Sequence, residues 1–421
     1  MKKIGIVVVL ILFLSGCILQ NKHQNDQIII ENTTVVYTPP DSPNVSNFNV
    51  IVIGWDGVQR DRFFDCYYNR TGECPNGLPA IEKLSNGKIY NLTVTDGATH
   101  TKPGWVQLLT GYNSAITGTY SNAKYQPVPE NYSIFEKLEN HFGNIITVFL
   151  ASKPDHTGAK CKGEYTKVTD YWGGVLYEGA EPFGEPWCIT KTKVDYFETG
   201  MGENEKVGEK ALQMLDQYGD KRFFMFFHFG DPDETGHRAK SFSAKYVQAI
   251  QDDDLWLKKI MDKLTELNIS DRTYIYVVTD HGFDTLQSPS KGVNHFNAPY
   301  GIYATNDISL IRSIDRKDLT PTLLERYGVA LGQIDNAPPV DGYPAQFLQT
   351  SCIPEGLAYL DYPGAPVCCN GLSLINLDKQ VVKHCEIATG GVGDDSGYCT
   401  KCGDGICMTP ENKCNCPADC K

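Results

Sequence analysis

An aspartate and a histidine stand side by side in Asp280-His281-Gly282, just past the apolar stretch Tyr274 to Val278. A second pair, Asp233-x-x-x-His237, follows the apolar stretch Phe223 to Phe229. A third apolar run, Asn49 to Gly54, leads into Trp55-Asp56-Gly57, where flanking glycines let the chain turn sharply and present the carboxylate. In open α/β sheets, ligands collect at the carboxyl ends of strands, so residues of this kind from different strands converge on one crevice. With His295 in the later run VNHFNAPY, they make six oxygen and nitrogen donors, a set suited to zinc or a similar divalent ion. Each residue alone would ordinarily be a turn, a cap or a structural histidine. Found together at strand ends, they point to a metal-dependent hydrolase.

A nucleophile is suggested by Thr101-Lys102-Pro103-Gly104-Trp105-Val106-Gln107-Leu108-Leu109-Thr110-Gly111. Pro103 is placed to open a helix and Thr110-Gly111 to close it. The first helical turn would offer unpaired N–H groups and the positive end of the dipole, which suits a hydroxyl that must meet a phosphate.

With these runs in order, the chain resembles the alkaline phosphatase superfamily, and within it the type I phosphodiesterase/nucleotide pyrophosphatase branch. That branch shows a strand ending in D-G, then T-x-P-x-x-x-x-L-x-T-G, D-x-x-x-H, D-H-G and one later His. The match runs from about Asn47 to Gln349, ending in Asp318 to Leu324 and Asp341-Gly342-Tyr343-Pro344. The resemblance implies an α/β fold, a doubly wound mixed sheet flanked by helices. It implies two divalent metal ions, zinc by preference: Asp56, Thr101, Asp280 and His281 on one, Asp233, His237 and His295 on the other. His100 competes with His295 for its place. Thr101 would attack phosphorus and form a phosphothreonine, and the substrate would be a small phosphate ester or a nucleotide.

Two departures from the family pattern stand out. Nucleotide pyrophosphatases usually carry Asn three residues after the nucleophile, where this chain has Gly104, and alkaline phosphatases set an Arg against the nonbridging oxygens, of which the helix beginning at Pro103 has none. Lys102 and Lys153 are candidates to compensate, although a solvated surface lysine is the better reading of each. Within the same fold a sulfatase is the rival reading, but it needs Cys or Ser to make formylglycine, and Thr101 would give a ketone. An inactive surface binding module is the alternative from another class.

Strands are expected at Asn49–Gly54, Ile145–Leu150, Phe223–Phe229 and Tyr274–Val278, alternating with helices near Pro79–Leu84, Tyr132–His141, Lys206–Gln217, Tyr246–Leu267 and Asp318–Tyr327. Ser152–Gly202, rich in Gly, Tyr and Trp, reads as an insertion over the crevice.

At the N-terminus Lys2 and Lys3 precede an apolar run, and Leu14-Ser15-Gly16-Cys17 resembles a lipoprotein signal-peptidase site. Residues 1–17 would be a signal peptide with a lipobox and 18–46 a polar tether, leaving 47–350 as the catalytic domain and 351–421 as a Cys-rich module. The protein would then sit on the outer face of the cell membrane through a lipid on Cys17. Of 15 cysteines that leaves 14, an even number suited to disulfides. Cys399-x-x-Cys402 could instead hold zinc through thiolates. The tail is similar to short C-G-D-G-x-C modules of exported microbial proteins, and Asp404, Glu411 and Asp419 could hold calcium. A net charge of −13 argues against wrapping nucleic acid.

Overall fold

A computed structural model describes residues 48–346, apart from 70–71, 164, 170–174, 180–183, 285–291, 297, 311, 330–336 and 339. Beyond these it describes 352–353, 358–359, 367–368, 372–376 and 397–420, apart from 404, 406 and 408–410. The expected signal peptide, lipid site and tether lie outside the described residues, as does Asp404.

The elements run β1 (Asn49–Trp55), α1 (Arg60–Tyr67), α2 (Pro79–Ser85), β2 (Ile89–Thr93), α3 (Thr101–Thr110), α4 (Ser114–Thr117), α5 (Ile134–Phe142), β3 (Ile146–Ala151), β4 (Tyr165–Thr169), β5 (Val175–Gly179), β6 (Tyr196–Glu198), α6 (Asn204–Tyr218), β7 (Phe223–Phe229), α7 (Asp231–Ala239), α8 (Ala244–Glu266), β8 (Thr273–Val278), β9 (Tyr300–Thr305), β10 (Ile314–Asp315) and α9 (Leu319–Tyr327). Eight strands make one sheet in the order β10-β2-β9-β8-β1-β7-β3-β6. The run from β8 to β6 is parallel, and β9 lies antiparallel to both β8 and β2. This is the mixed, helix-flanked sheet that the sequence implies.

Alternation along the central strands explains why both faces are covered. Val50 and Val52 point to one side with Phe224, Phe226, Tyr276 and Val278, packed against Trp105 and Leu109 of α3, Phe135 of α5 and Leu323 of α9. Ile51 and Ile53 point to the other with Met225, Phe227 and Val277, against Ile81 of α2, Leu215 of α6 and Leu257 of α8. Each fully buried side chain of this size contributes roughly 1.5–3 kcal/mol. Strands wet on neither face read as near-continuous apolar runs, which is why these four were visible in the sequence.

Three differences are informative. Helix α3 starts at Thr101, two residues before Pro103. A proline is tolerated there because first-turn amides have no intrahelical carbonyl to bond. Four strands of the sheet went unexpected: the edge strands β6 and β10 are only three and two residues long, β2 is mostly half-buried or exposed, and β9 mixes Gly, Ala and Thr with its apolar residues. The segment after Ser152 is also more than an insertion: Tyr196–Glu198 pairs in parallel with β3 and extends the sheet.

Disulfides join Cys66 to Cys74 and Cys161 to Cys188 in the sheet region. Farther on, β11 (Cys352–Ile353) pairs with β13 (Val367–Cys368), while β12 (Ala358–Tyr359), β15 (Gly397–Thr400) and β14 (Ser373–Asn376) form a second small sheet. Cys368–Cys399, Cys402–Cys416 and Cys407–Cys420 staple this region.

Candidate active site

Because β8, β1, β7 and β3 are parallel, their carboxyl ends share one edge of the sheet. Asp56 leaves β1, Asp280 and His281 follow β8, and Asp233 with His237 sits on α7, which opens one residue past β7. Gly57 makes the close approach possible: with φ at 67°, any Cβ on it would lie 2.7 Å from the Cβ of Asp233.

Two groups of donors result. Asp56, Asp280 and His281 have one donor atom each within 4.8 Å of the others, and so do Asp233, His237 and His295. The groups adjoin, with the rings of His281 and His295 stacked 4.2 Å apart. Thr101 Oγ1 lies 3.1 Å from His281 Nε2. His100 belongs to neither group and packs its ring edge-to-face on His295 at 5.3 Å.

The hydrogen bonds around these side chains decide which atoms face the site. His281 Nδ1 donates to the Gly282 carbonyl at 3.1 Å and His237 Nδ1 to the Val293 carbonyl at 2.7 Å, so Nε2 is the atom each ring turns toward the carboxylates, 3.2 Å from Asp280 and 3.4 Å from Asp233. Each carboxylate has one oxygen held by protein donors. Asp56 Oδ2 accepts from His228 Nε2 at 2.8 Å and faces Lys153 Nζ at 3.0 Å. Asp233 Oδ2 accepts from Lys153 Nζ at 2.5 Å, and Asp280 Oδ1 from the Gly57 amide at 3.1 Å. The opposite oxygens, Asp56 Oδ1, Asp233 Oδ1 and Asp280 Oδ2, are buried without a hydrogen-bond partner, as is His295 Nδ1. A buried polar atom left so costs about 1–3 kcal/mol, so four of them around one place fit a site made for cations.

The electrostatics agree. Burial opposes the charges of Asp56 and Asp233, yet the Lys153 ammonium beside them holds both below the usual carboxylate range. Asp280 has no such partner, and burial together with the Asp56 charge pushes it well above that range. Burial lowers His281 to about 4 and His295 to about 3, so both are neutral ligands near neutral pH.

The profile of the family described as type I phosphodiesterase / nucleotide pyrophosphatase matches residues 50–308. The chain belongs to that family. Human (Homo sapiens) ectonucleotide pyrophosphatase/phosphodiesterase family member 1 is 25% identical over 209 residues, 49% of this chain and 21% of that protein. GPI ethanolamine phosphate transferase 1 of Yarrowia lipolytica is 22% identical over 250 residues, 58% of this chain and 25% of that protein. The chain thus matches about a fifth to a quarter of the length of these relatives. A solved protein of the alkaline phosphatase superfamily from Vibrio parahaemolyticus aligns with a TM-score of 0.46 at 15% identity, covering 76% of this chain and 73% of that one.

The departure at Gly104 now has a physical reason. At Gly104 a Cβ would stand 2.7 Å from Asp280 Cβ, so the family's asparagine has no room here. An arginine does stand near the site from outside α3, in another role: Arg316 is fully buried and donates to the Asp280 carbonyl at 3.1 Å and to Asp96 at 3.2 Å. It braces the strand end from behind. Most first-turn amides of α3 after Thr101 are already used or absent. Lys102 N–H is bonded to Asn122 Oδ1, Pro103 has none, and Gly104 N–H bonds the His100 carbonyl.

Lys102 and Lys153 are both buried, contrary to the solvated reading. Lys102 turns toward Asn122 and the Tyr125 ring, whereas Lys153 enters the site. His228 also went unremarked, inside a run of phenylalanines; it fixes Asp56 and accepts from Ser152 Oγ at 3.1 Å on its other side. For Lys153 a signal existed, since the strand-end rule applied to β3 leads straight to Ser152-Lys153. Arg316 had none.

In the Cys-rich region, Cys399 and Cys402 belong to different disulfides, so they are not a zinc-binding thiolate pair. Asp419 accepts from the backbone amides of Gly403 and Gly405, and Glu411 from Thr400 Oγ1 at 2.6 Å. Those bonds give both carboxylates work as cross-links within the stapled region.

Proposed function

We propose that this chain is an exported two-cation hydrolase of phosphate esters, of the phosphodiester or nucleotide pyrophosphate kind, acting through a phosphothreonine at Thr101. The observation that carries the reading is the pattern of half-satisfied carboxylates: each of Asp56, Asp233 and Asp280 is pinned by one oxygen and bare at the other, beside a threonine hydroxyl at a helix start. We assign Asp56, Thr101, Asp280 and His281 to one cation, and Asp233, His237 and His295 to the other. The mixture of carboxylate and imidazole donors suits zinc. When bound, the cations supply Lewis-acid stabilisation of the phosphoryl oxygens and lower the pKa of the hydroxyl and of water.

The chain's own residues do the rest. Thr101 Oγ1, its proton lost to solvent, forms a bond to phosphorus as the bond to the leaving oxygen breaks. That oxygen departs with a proton from water. Water then adds to phosphorus from the opposite side, and Thr101 Oγ1 leaves and regains a proton. Two in-line displacements retain configuration at phosphorus. The dipole of α3 favours the negative charge that develops at its start.

A sulfatase-like activity is the alternative within the superfamily, disfavoured because Thr101 cannot become formylglycine. Metal analysis of the purified protein should be combined with rates on a nitrophenyl phosphate monoester, a phosphodiester, a nucleotide ester and a sulfate ester. Preference for the diester or nucleotide ester is expected; dominance of the sulfate ester overturns the reading, and absence of all turnover leaves a binding module. Export through a lipid on Cys17 predicts recovery in the membrane fraction and release on Cys17→Ser.

A further inference from the structure

Lys153 lies between two carboxylates that belong to different donor groups. Its Nζ is 3.0 Å from Asp56 Oδ2 and 2.5 Å from Asp233 Oδ2, with only 5% of its side chain exposed. It stands two residues past β3, on a neighbouring strand of the sheet that supplies none of the donors in either group. Three carboxylates brought out of water into one place repel one another and cannot all stay charged without a counter-charge. The ammonium can donate one hydrogen bond to each of two carboxylates. By binding the Oδ2 atoms it fixes the rotation of both groups, and in both the Oδ1 atom is the one left bare.

We propose that Lys153 is a positioning residue, a built-in counter-cation that spans the two donor groups, turns the free oxygens of Asp56 and Asp233 into the site and lets the site fold before any metal binds. The inference rests on the two-cation reading above. It gives Lys153 a role that differs from holding substrate oxygens, because both acceptors of its ammonium are protein carboxylates.

The test uses the whole protein, stripped of metal by a chelator and then saturated with zinc. Zinc titration of the parent comes first: two equivalents per chain support the two-cation reading, and none refutes it without bearing on Lys153. In the metal-free state, Lys153→Met should lower the melting temperature by on the order of 10 °C, since it leaves two buried carboxylates uncompensated. Zinc should restore more than half of that loss. Asp233→Asn added to Lys153→Met should raise the metal-free melting temperature again, because it removes one of the stranded charges. A residue that merely fills space would instead lose the same amount with and without zinc, and the second substitution would add to the damage. That outcome overturns the proposal. If Lys153→Met alone yields no folded metal-free protein, the double variant decides: its folding supports the counter-cation, and its failure refutes it.

Discussion

The two donor groups adjoin, yet they are built for different work. Asp56, Asp280 and His281 are wholly buried, follow directly on strands, and are held from behind by His228, the Gly57 amide and Arg316. Asp233 and His237 ride on α7, His295 comes from the loop before β9, and the His237 side chain is 37% exposed. A rigid, dry group beside Thr101 suits a nucleophile that must be aimed to a fraction of an ångström. An open group suits arrival of substrate and water. Under the proposed two-cation reading, the first displacement falls to the inner group and the departing oxygen and water to the outer one.

The sharpest way to break this contrast is Thr101→Ala. The hydroxyl touches only the inner group, so turnover should fall by at least ~10³-fold, about 4 kcal/mol of barrier, while the fold persists. Diester hydrolysis surviving within about tenfold would strip Thr101 of its role. Next, His281→Ala should cost roughly 1–3 kcal/mol of metal-free stability, because it opens a buried place and strands the Thr101 hydroxyl, whereas His237→Ala should stay within about 0.5 kcal/mol. Thermal melts settle the order. Anomalous scattering from crystals of His237→Ala should show the outer cation lost and the inner one retained.

Gly104→Asn tests the rigidity of the inner group from its other side. The new side chain must displace Asp280, so a loss of about 1–3 kcal/mol is expected together with weaker binding of the inner cation. An unchanged melt would mean that the strand end yields easily.

The smallest expected effect isolates a titration belonging to neither group. Burial, with Asp195 nearby, raises Glu139 from 4.5 to about 7. An acid raised on folding stabilises fully below its unfolded pKa, and that contribution is lost as pH climbs through the folded value. Glu139→Gln should therefore gain in melting temperature relative to the parent as pH rises from about 5 to 8, with cation binding unaltered. A constant difference across that range would place the raised titration elsewhere.

Sequence alone determined the four central strands, because a strand buried on both faces must be apolar throughout, and a strand that stops must turn and present the residues at its exit. Asp56, Asp233, Asp280 and His281 were legible for that reason, and Thr101 through a helix start with a proline near it. The family came from the order of those runs. Tertiary structure alone decided which oxygen of each carboxylate is bare, because that depends on donors scattered from Gly57 to His228. It alone brought Arg316 behind Asp280 and closed position 104 to a side chain, contacts between residues about 36 and 176 positions apart in the chain. It also put Lys153 between two aspartates, where the sequence favoured a solvated surface position. Periodicity records how a residue faces its own sheet. Its partners across the fold are set by packing, which leaves no local trace.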